Sequence, residues 1–457
     1  AEYGLYTLIG AFVSYISIMD FGLNNTIVRF IAKYRAEKDK RGEENFLATS
    51  MIIYVVISAV IVLIGLVLYN YLDVIFSNSL SLLELEKAKV MFIILVFNMA
   101  ITLPGGAFTA ICSGYERFVF PRAVSIVKYL VRALMVFGLL MLEGGSIGLV
   151  ILDTFVNIIV IIVTAWYVII RMKVKFKMLG FKFSLAKEIF TYSIWIFVFA
   201  IVQMFQWKSG HVILGINTNT ISVAIFSVGI MLGSYYGTFA YAVNGLILPR
   251  AMQMIVRNES GEAITLMMIK FGRMVLFILG LVLTGFIVIG KDFILLWVGE
   301  TYETSYLIAL LVMLFSTIPL TQSFGHSVLQ ARNKIKIKGI FDLISMSIGV
   351  ITGFYLSIDY GGIGMILCIV AAYFINTVLT NWYFIKVFDF KIRLFLEKTY
   401  FRFTLVLAVI IVMCLQINLA IPNLSWSSIT LKGVLIFLIY CSGIYFFQLN
   451  SDEKSQI

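Results

Sequence analysis

The sequence predicts an all-α, polytopic membrane protein: two six-helix lobes in a parallel pseudo-repeat, followed by two extra C-terminal helices. Three observations carry that prediction. First, the 457 residues are 61% hydrophobic and only 13% charged, where a soluble domain is about 25% charged and about 45–50% apolar. A soluble fold of this composition would leave apolar patches in water far beyond the few hundred Å² that proteins tolerate. Second, the apolar residues form continuous runs, as at 51–68, and do not alternate as barrel strands do. Third, the connections between runs alternate between basic and non-basic. With 39 Phe, 23 Tyr and 5 Pro, the chain is not disordered.

A helix needs about 20 mainly apolar residues to cross the hydrocarbon core and satisfies its own backbone there. In chain order the runs place spans near 4–31, 46–71, 89–112, 120–142, 146–170, 189–214, 221–248, 273–298, 304–329, 339–357, 362–385, 401–421 and 431–449, thirteen in all. The first connection carries Arg29, Lys33, Arg35, Lys38, Lys40 and Arg41, whereas the next, 72–88, sets Asp73, Glu84 and Glu86 against Lys87. Basic connections recur at 113–122, 171–188, 249–273, 330–338 and 386–402. Those between them hold Glu143, Glu300, Glu303 and Asp359 and no Lys or Arg. Lys and Arg favour the cytoplasmic side, so the basic face is inner, and topology accounts for the net charge of +11. Nucleic-acid binding would need a clustered basic domain with motif context, and no such domain is present.

By this orientation the first span runs from outside to inside, and residue 1 is Ala. The pattern therefore predicts a leading helix ahead of residue 1 and 14 spans altogether. Cys112, Cys368, Cys414 and Cys441 fall in or at the ends of spans, so no disulfide framework is expected.

An internal repeat sets the predicted domains. Ser113 to Arg122 closes one span and opens the next, and Gly144-Gly-Ser-Ile-Gly148 then precedes a span with Asn157. In the second half Gln330 to Lys338 does the same, and Gly361-Gly-Ile-Gly364 precedes a span with Asn376. Gly145 and Gly362 are 217 residues apart. A shift of six spans keeps both copies in the same orientation, as in transporters with a site between two lobes. The predicted organisation is an N-terminal lobe over 1–188 ending in a basic linker, a C-terminal lobe over 189–400, and two extra helices with a short tail over 401–457.

Enzyme chemistry finds little support. The sequence lacks a complete Gly-x-x-x-x-Gly-Lys-Ser/Thr phosphate loop, since Lys291 of its one Gly285-to-Lys291 match is followed by Asp292. Its two histidines, His211 and His326, have no Cys or carboxylate neighbours at metal-ligand spacing. No cofactor or metal is expected. What remains informative is charge inside spans, which costs roughly 2.5–3.5 kcal/mol per residue at mid-bilayer. Arg29, His326 and Asp342 lie near inner ends and are expected to reach the interface. Deeper lie Lys128 and Arg132 on one helix face at i, i+4, Lys208 with His211 at i, i+3, Asp153 with Asn157, and a Ser17, Asp20, Asn24 stripe. Two readings stay open: these residues line a polar cavity, or Asp20 or Asp153 neutralises Lys128 or Arg132 in an interhelical pair. Lys128, Arg132 and Lys208 outnumber Asp20 and Asp153, and a cationic excess favours an anion such as a lipid diphosphate.

Ala1-Glu-Tyr-Gly-Leu-Tyr6, Asp20-Phe-Gly-Leu23, Arg29-Phe-Ile-Ala-Lys-Tyr-Arg35, the Gly-Tyr-Glu-Arg-Phe stretch at 114–118 and Gln330-Ala-Arg-Asn-Lys334 resemble polysaccharide-biosynthesis flippases of the O-antigen type. These belong to the multidrug/oligosaccharidyl-lipid/polysaccharide exporter superfamily. The resemblance spans essentially the whole chain. It implies alternating access that carries undecaprenyl-diphosphate-linked oligosaccharide to the outer leaflet of a bacterial or archaeal plasma membrane. Polymerases and glycosyltransferases are the implied partners. Basic cavity character carries over onto Lys128, Arg132 and Lys208, with Asp20, Asp153, His211 and Arg29 as secondary cavity or ion-coupling candidates. A drug/cation antiporter or a peptidoglycan-precursor flippase of the same fold is the alternative, and a membrane glycan polymerase or ligase is the non-transporter alternative.

Overall fold

The computed structural model describes residues 2–20, 23–77, 79–142, 144–180, 197–241, 247–421 and 424–449. Phe21 and Gly22, most of the linker and the start of the 189–214 span, the end of the 221–248 span, Glu143 and the tail with Lys454 lie outside them. The described residues form helices joined by turns and short irregular connections, and hold ten helices long and apolar enough to cross a membrane. The chain divides into two compact units, 1–224 and 225–457.

In the first unit the run expected as one span over 4–31 is broken. α1 (Glu2–Ser14) passes through a 3₁₀ turn, Ile16–Asp20, to α2 (Leu23–Ala36). Ser14 and Ser17 turn their hydroxyls onto the carbonyls of Ala11 and Ser14, a local bonding that competes with the straight helix. α3 (Lys40–Phe76) starts at Asp39, whose side chain accepts from the Gly42 amide. α4 (Leu82–Gly114) opens with a Ser81/Glu84 capping box. α5 (Val119–Met141) buries no residue of its own, and α6 (Ser146–Trp166) runs on through a π turn to Arg171. α7 (Phe197–Trp207) and α8 (Ser209–Asn217) pack inside this unit. The Ser14 hydroxyl meets Met204 Sδ at 3.8 Å, and a Cβ on Gly215 would lie 2.2 Å from Leu8 Cδ1.

α9 (Thr220–Tyr241) leads into the second unit, which holds α10 (Ile247–Val256), α11 (Gly261–Val298), α12 (Thr304–Thr321), α13 (Ser323–Ala331), α14 (Ile335–Phe388), α15 (Ile392–Leu396), α16 (Arg402–Ala420) and α17 (Trp426–Phe447). The 304–329 span is thus two helices, parted at Gln322. The 54 residues of α14 fold back on themselves at Gly361, whose φ of 54° and ψ of −135° suit only glycine. Its two arms touch through small residues, since a Cβ on Gly349 would lie 2.7 Å from that of Ala372. The arms are the two spans expected at 339–357 and 362–385.

Contacts within the first unit agree with the alternation of charge. Lys177 donates its amide to the Glu44 carbonyl at 3.3 Å and Leu179 to Asn45 Oδ1 at 2.8 Å, joining 37–45 and 171–180 at the basic end. At the other end Glu2 accepts from the Ser146 amide at 2.9 Å and pairs with Lys87. All four cysteines are unpaired thiols.

Candidate functional site

Two polar clusters of the first unit are built on α6. Asp153 and Asn157 stand one turn apart on it and serve two different clusters. Arg132, on α5, grips Asp153 as a fork, Nε to Oδ1 at 2.5 Å and Nη2 to Oδ2 at 3.0 Å. The Tyr6 hydroxyl, on α1, donates to the same Oδ2 at 2.7 Å. One turn on, the Asn157 amide donates to Asn98 Oδ1 at 2.7 Å and to Thr102 Oγ1 at 2.6 Å, both on α4. Of the pairings the sequence left open, Arg132 with Asp153 forms among the described residues. Charge-assisted forks of this kind are about twice as strong as neutral hydrogen bonds. This one is not sealed, since the Arg132 side chain is 38% exposed and that of Asp153 21%.

Lys128 lies one turn before Arg132 on α5, half-buried, and no ion pair holds it among the described residues. Lys208 sits at the joint between α7 and α8, also half-buried and without an ion-pair partner among the described residues. His211 is buried one turn later. No hydrogen bond or ion pair among the described residues joins Lys208 to Lys128 or Arg132. Lys128, Arg132 and Lys208 all belong to the first unit.

Asp20 is drawn to Asn24 not along one helix face but around the 3₁₀ turn. Tyr54 of α3 lies 3.2 Å from Asp20 Oδ1 and 3.1 Å from Asn24 Oδ1. Of the expected Ser17, Asp20, Asn24 stripe, Asp20 and Asn24 thus share a tyrosine from the next helix, while Ser17 turns to the Ser14 carbonyl. Arg29 is exposed near the inner end of α2. Asp342 does not reach the interface. It is 6% exposed, accepts from Lys338 Nζ and from Asn376 Nδ2, each at 2.6 Å, and forms a buried knot between the arms of α14.

Other polar groups escaped the sequence. Lys432 is 2% exposed and donates to Asn418 Oδ1 at 2.6 Å and Asp292 Oδ2 at 3.1 Å, tying α17 to α16 and α11. Arg273 gives Nη2 to the Gln448 carbonyl at 2.8 Å and Nη1 to the Lys398 carbonyl at 3.2 Å. Tyr6 and Tyr54 gave no signal beyond being tyrosines in apolar runs. Among the described residues no group of His, Cys, Asp and Glu is arranged to hold a metal.

The family described as "Polysaccharide biosynthesis protein" matches residues 1–251. A candidate O-antigen transporter from Shigella flexneri is 23% identical over 404 residues, 84% of this chain and 90% of that protein. Among solved structures, the lipid II flippase MurJ in an inward closed conformation superposes with a TM-score of 0.73 at 17% identity, over 97% of this chain and 93% of that one. An inward-facing multidrug resistance MATE family transporter of the MOP superfamily gives a TM-score of 0.61 at 12% identity, over 84% and 93%. These last two likenesses are likenesses of fold.

Proposed function

We propose, from the premise that this chain belongs to the polysaccharide biosynthesis protein family, that it moves a polyprenyl-diphosphate-linked oligosaccharide from the inner to the outer leaflet of a plasma membrane. The chain is a multi-pass membrane transporter and not an enzyme. The reading of its cargo rests on one observation. Two half-buried lysines, Lys128 and Lys208, lack acidic partners among the described residues, and Lys128 lies a turn from the arginine fork. A membrane protein does not keep unneutralised cations in apolar segments without a use for them, and a diphosphate is the anion that a lipid-linked glycan brings. Arg binds phosphate as a fork and Lys as a point charge. Cationic drugs would call for the opposite excess. On this reading the chain works beside the glycosyltransferases that build the glycan and the polymerase that extends it.

Replacing Lys128 and Arg132 together by Gln keeps polarity and approximate size and removes both charges. Charge-assisted contacts are worth roughly 1.5–3 kcal/mol each, so two of them amount to a factor of at least about a hundred in affinity. Surface glycan falls sharply at unchanged protein level, while exchanging the two residues, Lys128→Arg with Arg132→Lys, is milder. Normal glycan export by the double Gln variant would overturn the reading.

A further inference from the structure

The fork between Arg132 and Asp153 poses a question that the cargo reading leaves open. Nε and one Nη2 hydrogen of Arg132 are already spent on Asp153, and this is the same planar edge with which arginine grips phosphate. An anion using that edge has to displace the carboxylate. Asp153 is in turn steadied by Tyr6, whose hydroxyl shares Oδ2 with Arg132 Nη2.

The fold does not need this arrangement. At the repeat offset of 217 residues, Lys128, Arg132 and Asp153 correspond to Ser345, Gly349 and Val370. At the offset of 220 that pairs Tyr3-Gly-Leu-Tyr6 with Val223-Ala-Ile-Phe226, Tyr6 corresponds to Phe226. In the second unit the matching helices are the arms of α14, and at Gly349 they come close enough that a Cβ would press on Ala372. Direct packing there does what an ion pair does between α5 and α6. Of the deep polar pairs in the second unit, Lys338–Asp342 is buried on both sides, at 14% and 8% side-chain exposure, and Lys432 is 2% exposed beside an Asp292 that is 25% exposed. The Arg132–Asp153 pair alone among these is open on both partners, with Lys128 one turn away on the same helix.

We infer that Asp153, positioned by Tyr6, is the resident counter-anion of the phosphate site: cargo diphosphate displaces it from Arg132, and its return drives the diphosphate off. The inference rests on the cargo reading above. Binding is thereby weakened on purpose, because a transporter must release what it binds. Displacement sets affinity through Asp153 and Tyr6, and release fails when the carboxylate is gone.

Inorganic pyrophosphate, titrated calorimetrically against the purified full chain in nanodiscs of a zwitterionic lipid, tests this. Asp153→Asn binds pyrophosphate at least about tenfold more tightly than the unmodified protein, in line with the loss of a charged competitor, and exports less glycan in cells. Tyr6→Phe leaves the carboxylate less firmly held and tightens binding a few-fold, a direction that mere loosening of the helix packing would not give. Arg132→Gln weakens binding in either background. If Asp153→Asn and Tyr6→Phe bind pyrophosphate no more tightly than the unmodified protein while Arg132→Gln still weakens it, the exchange is wrong and the cargo reading stands. If Arg132→Gln leaves binding untouched, the cargo reading falls with it. Should Asp153→Asn fail to fold, Tyr6→Phe decides alone, and unchanged affinity there overturns the exchange.

Discussion

In the first unit Lys38, Glu116 and Lys173 take left-handed backbone just past a helix end, and in the second Asn258, Asn333 and Asp389 do, at offsets of 220, 217 and 216 residues. The bonds that close these ends repeat as well. Asp39 donates to the Tyr34 carbonyl and Glu259 to that of Met254, while Arg117 donates to Cys112 and Lys334 to Leu329. Each is the six-residue closure that satisfies the last carbonyls of a helix. All six positions lie on the basic side. The two units thus end their inner helices with the same device in the same register, even where the residue in the left-handed position is not glycine. Their interiors diverge. The second unit pairs its α14 arms through Gly349 and Ala372 and buries its deep charges Asp342 and Lys432. The first uses an open fork and leaves Lys128 without an ion pair among the described residues. Features common to both copies belong to the scaffold, and those confined to one copy are where function is to be sought.

That division is broken or sharpened most strongly by copying one unit into the other. The triple change Lys128→Ser, Arg132→Gly and Asp153→Val writes the residues of the second unit into the first. If the polar set serves transport, the protein inserts at a normal level and glycan export drops by more than tenfold. Export near normal would mean that the two interiors differ for reasons of packing alone.

The converse change concerns the second unit. Lys432→Ala leaves Asp292 and Asn418 facing a buried gap, and removing one partner of a buried pair costs about 3–5 kcal/mol. Since Asp292 is a quarter exposed, the lower figure is expected, seen as a fall in melting temperature of the detergent-purified protein. Lys432→Met, which fills the space with an apolar chain, loses much less. Export per folded molecule stays the same in both. A stable Lys432→Ala protein with lost export would move this knot from scaffold to function.

How much of this was legible in the sequence follows the kind of interaction. The apolar segments were readable because hydropathy acts on whole stretches of chain, and ten helices among the described residues are long and apolar enough to cross a membrane. The Arg132–Asp153 pair was within reach as one of a few charge combinations inside a lobe. The break at Ile16–Asp20 was hidden, since Ser17, Asp20 and Asn24 around it read equally well as one polar face of an unbroken helix. Its cause is the bonding of Ser14 and Ser17 to nearby carbonyls. Asp342 was misjudged because depth was judged along the chain, while its partners Lys338 and Asn376 are set by the fold-back at Gly361. Arg273 was out of reach for a different reason: its acceptors are backbone carbonyls, which every residue has.

The smallest expected effect separates the outer ends of the two units. In the first, Glu2 stands ahead of the span and accepts from Lys87 and from the Ser146 amide at the start of α6, and these bonds, the Lys87 one foremost, hold its carboxyl down at about 2 from an ordinary 4.5. In the second, Lys291 and Glu303 meet at 2.6 Å with both side chains more than half exposed, a pair of the kind that contributes little. A carboxyl whose pKa is depressed on folding stabilises the protein above its unfolded value and loses that contribution as pH falls toward the folded one. The stabilisation from Glu2 is therefore complete above pH 4.5 and fades between about 4.5 and 2. Melting temperature recorded from pH 7 down to pH 3 falls more steeply for the unmodified protein than for Glu2→Gln, and the two curves converge at the acid end. Glu303→Gln should leave the curve where it was. Since Glu2 is about half exposed, salt at 0.5 M shrinks the gap between the Glu2 curves. Parallel curves at low salt would mean that the outer end of the first unit is held no more firmly than that of the second.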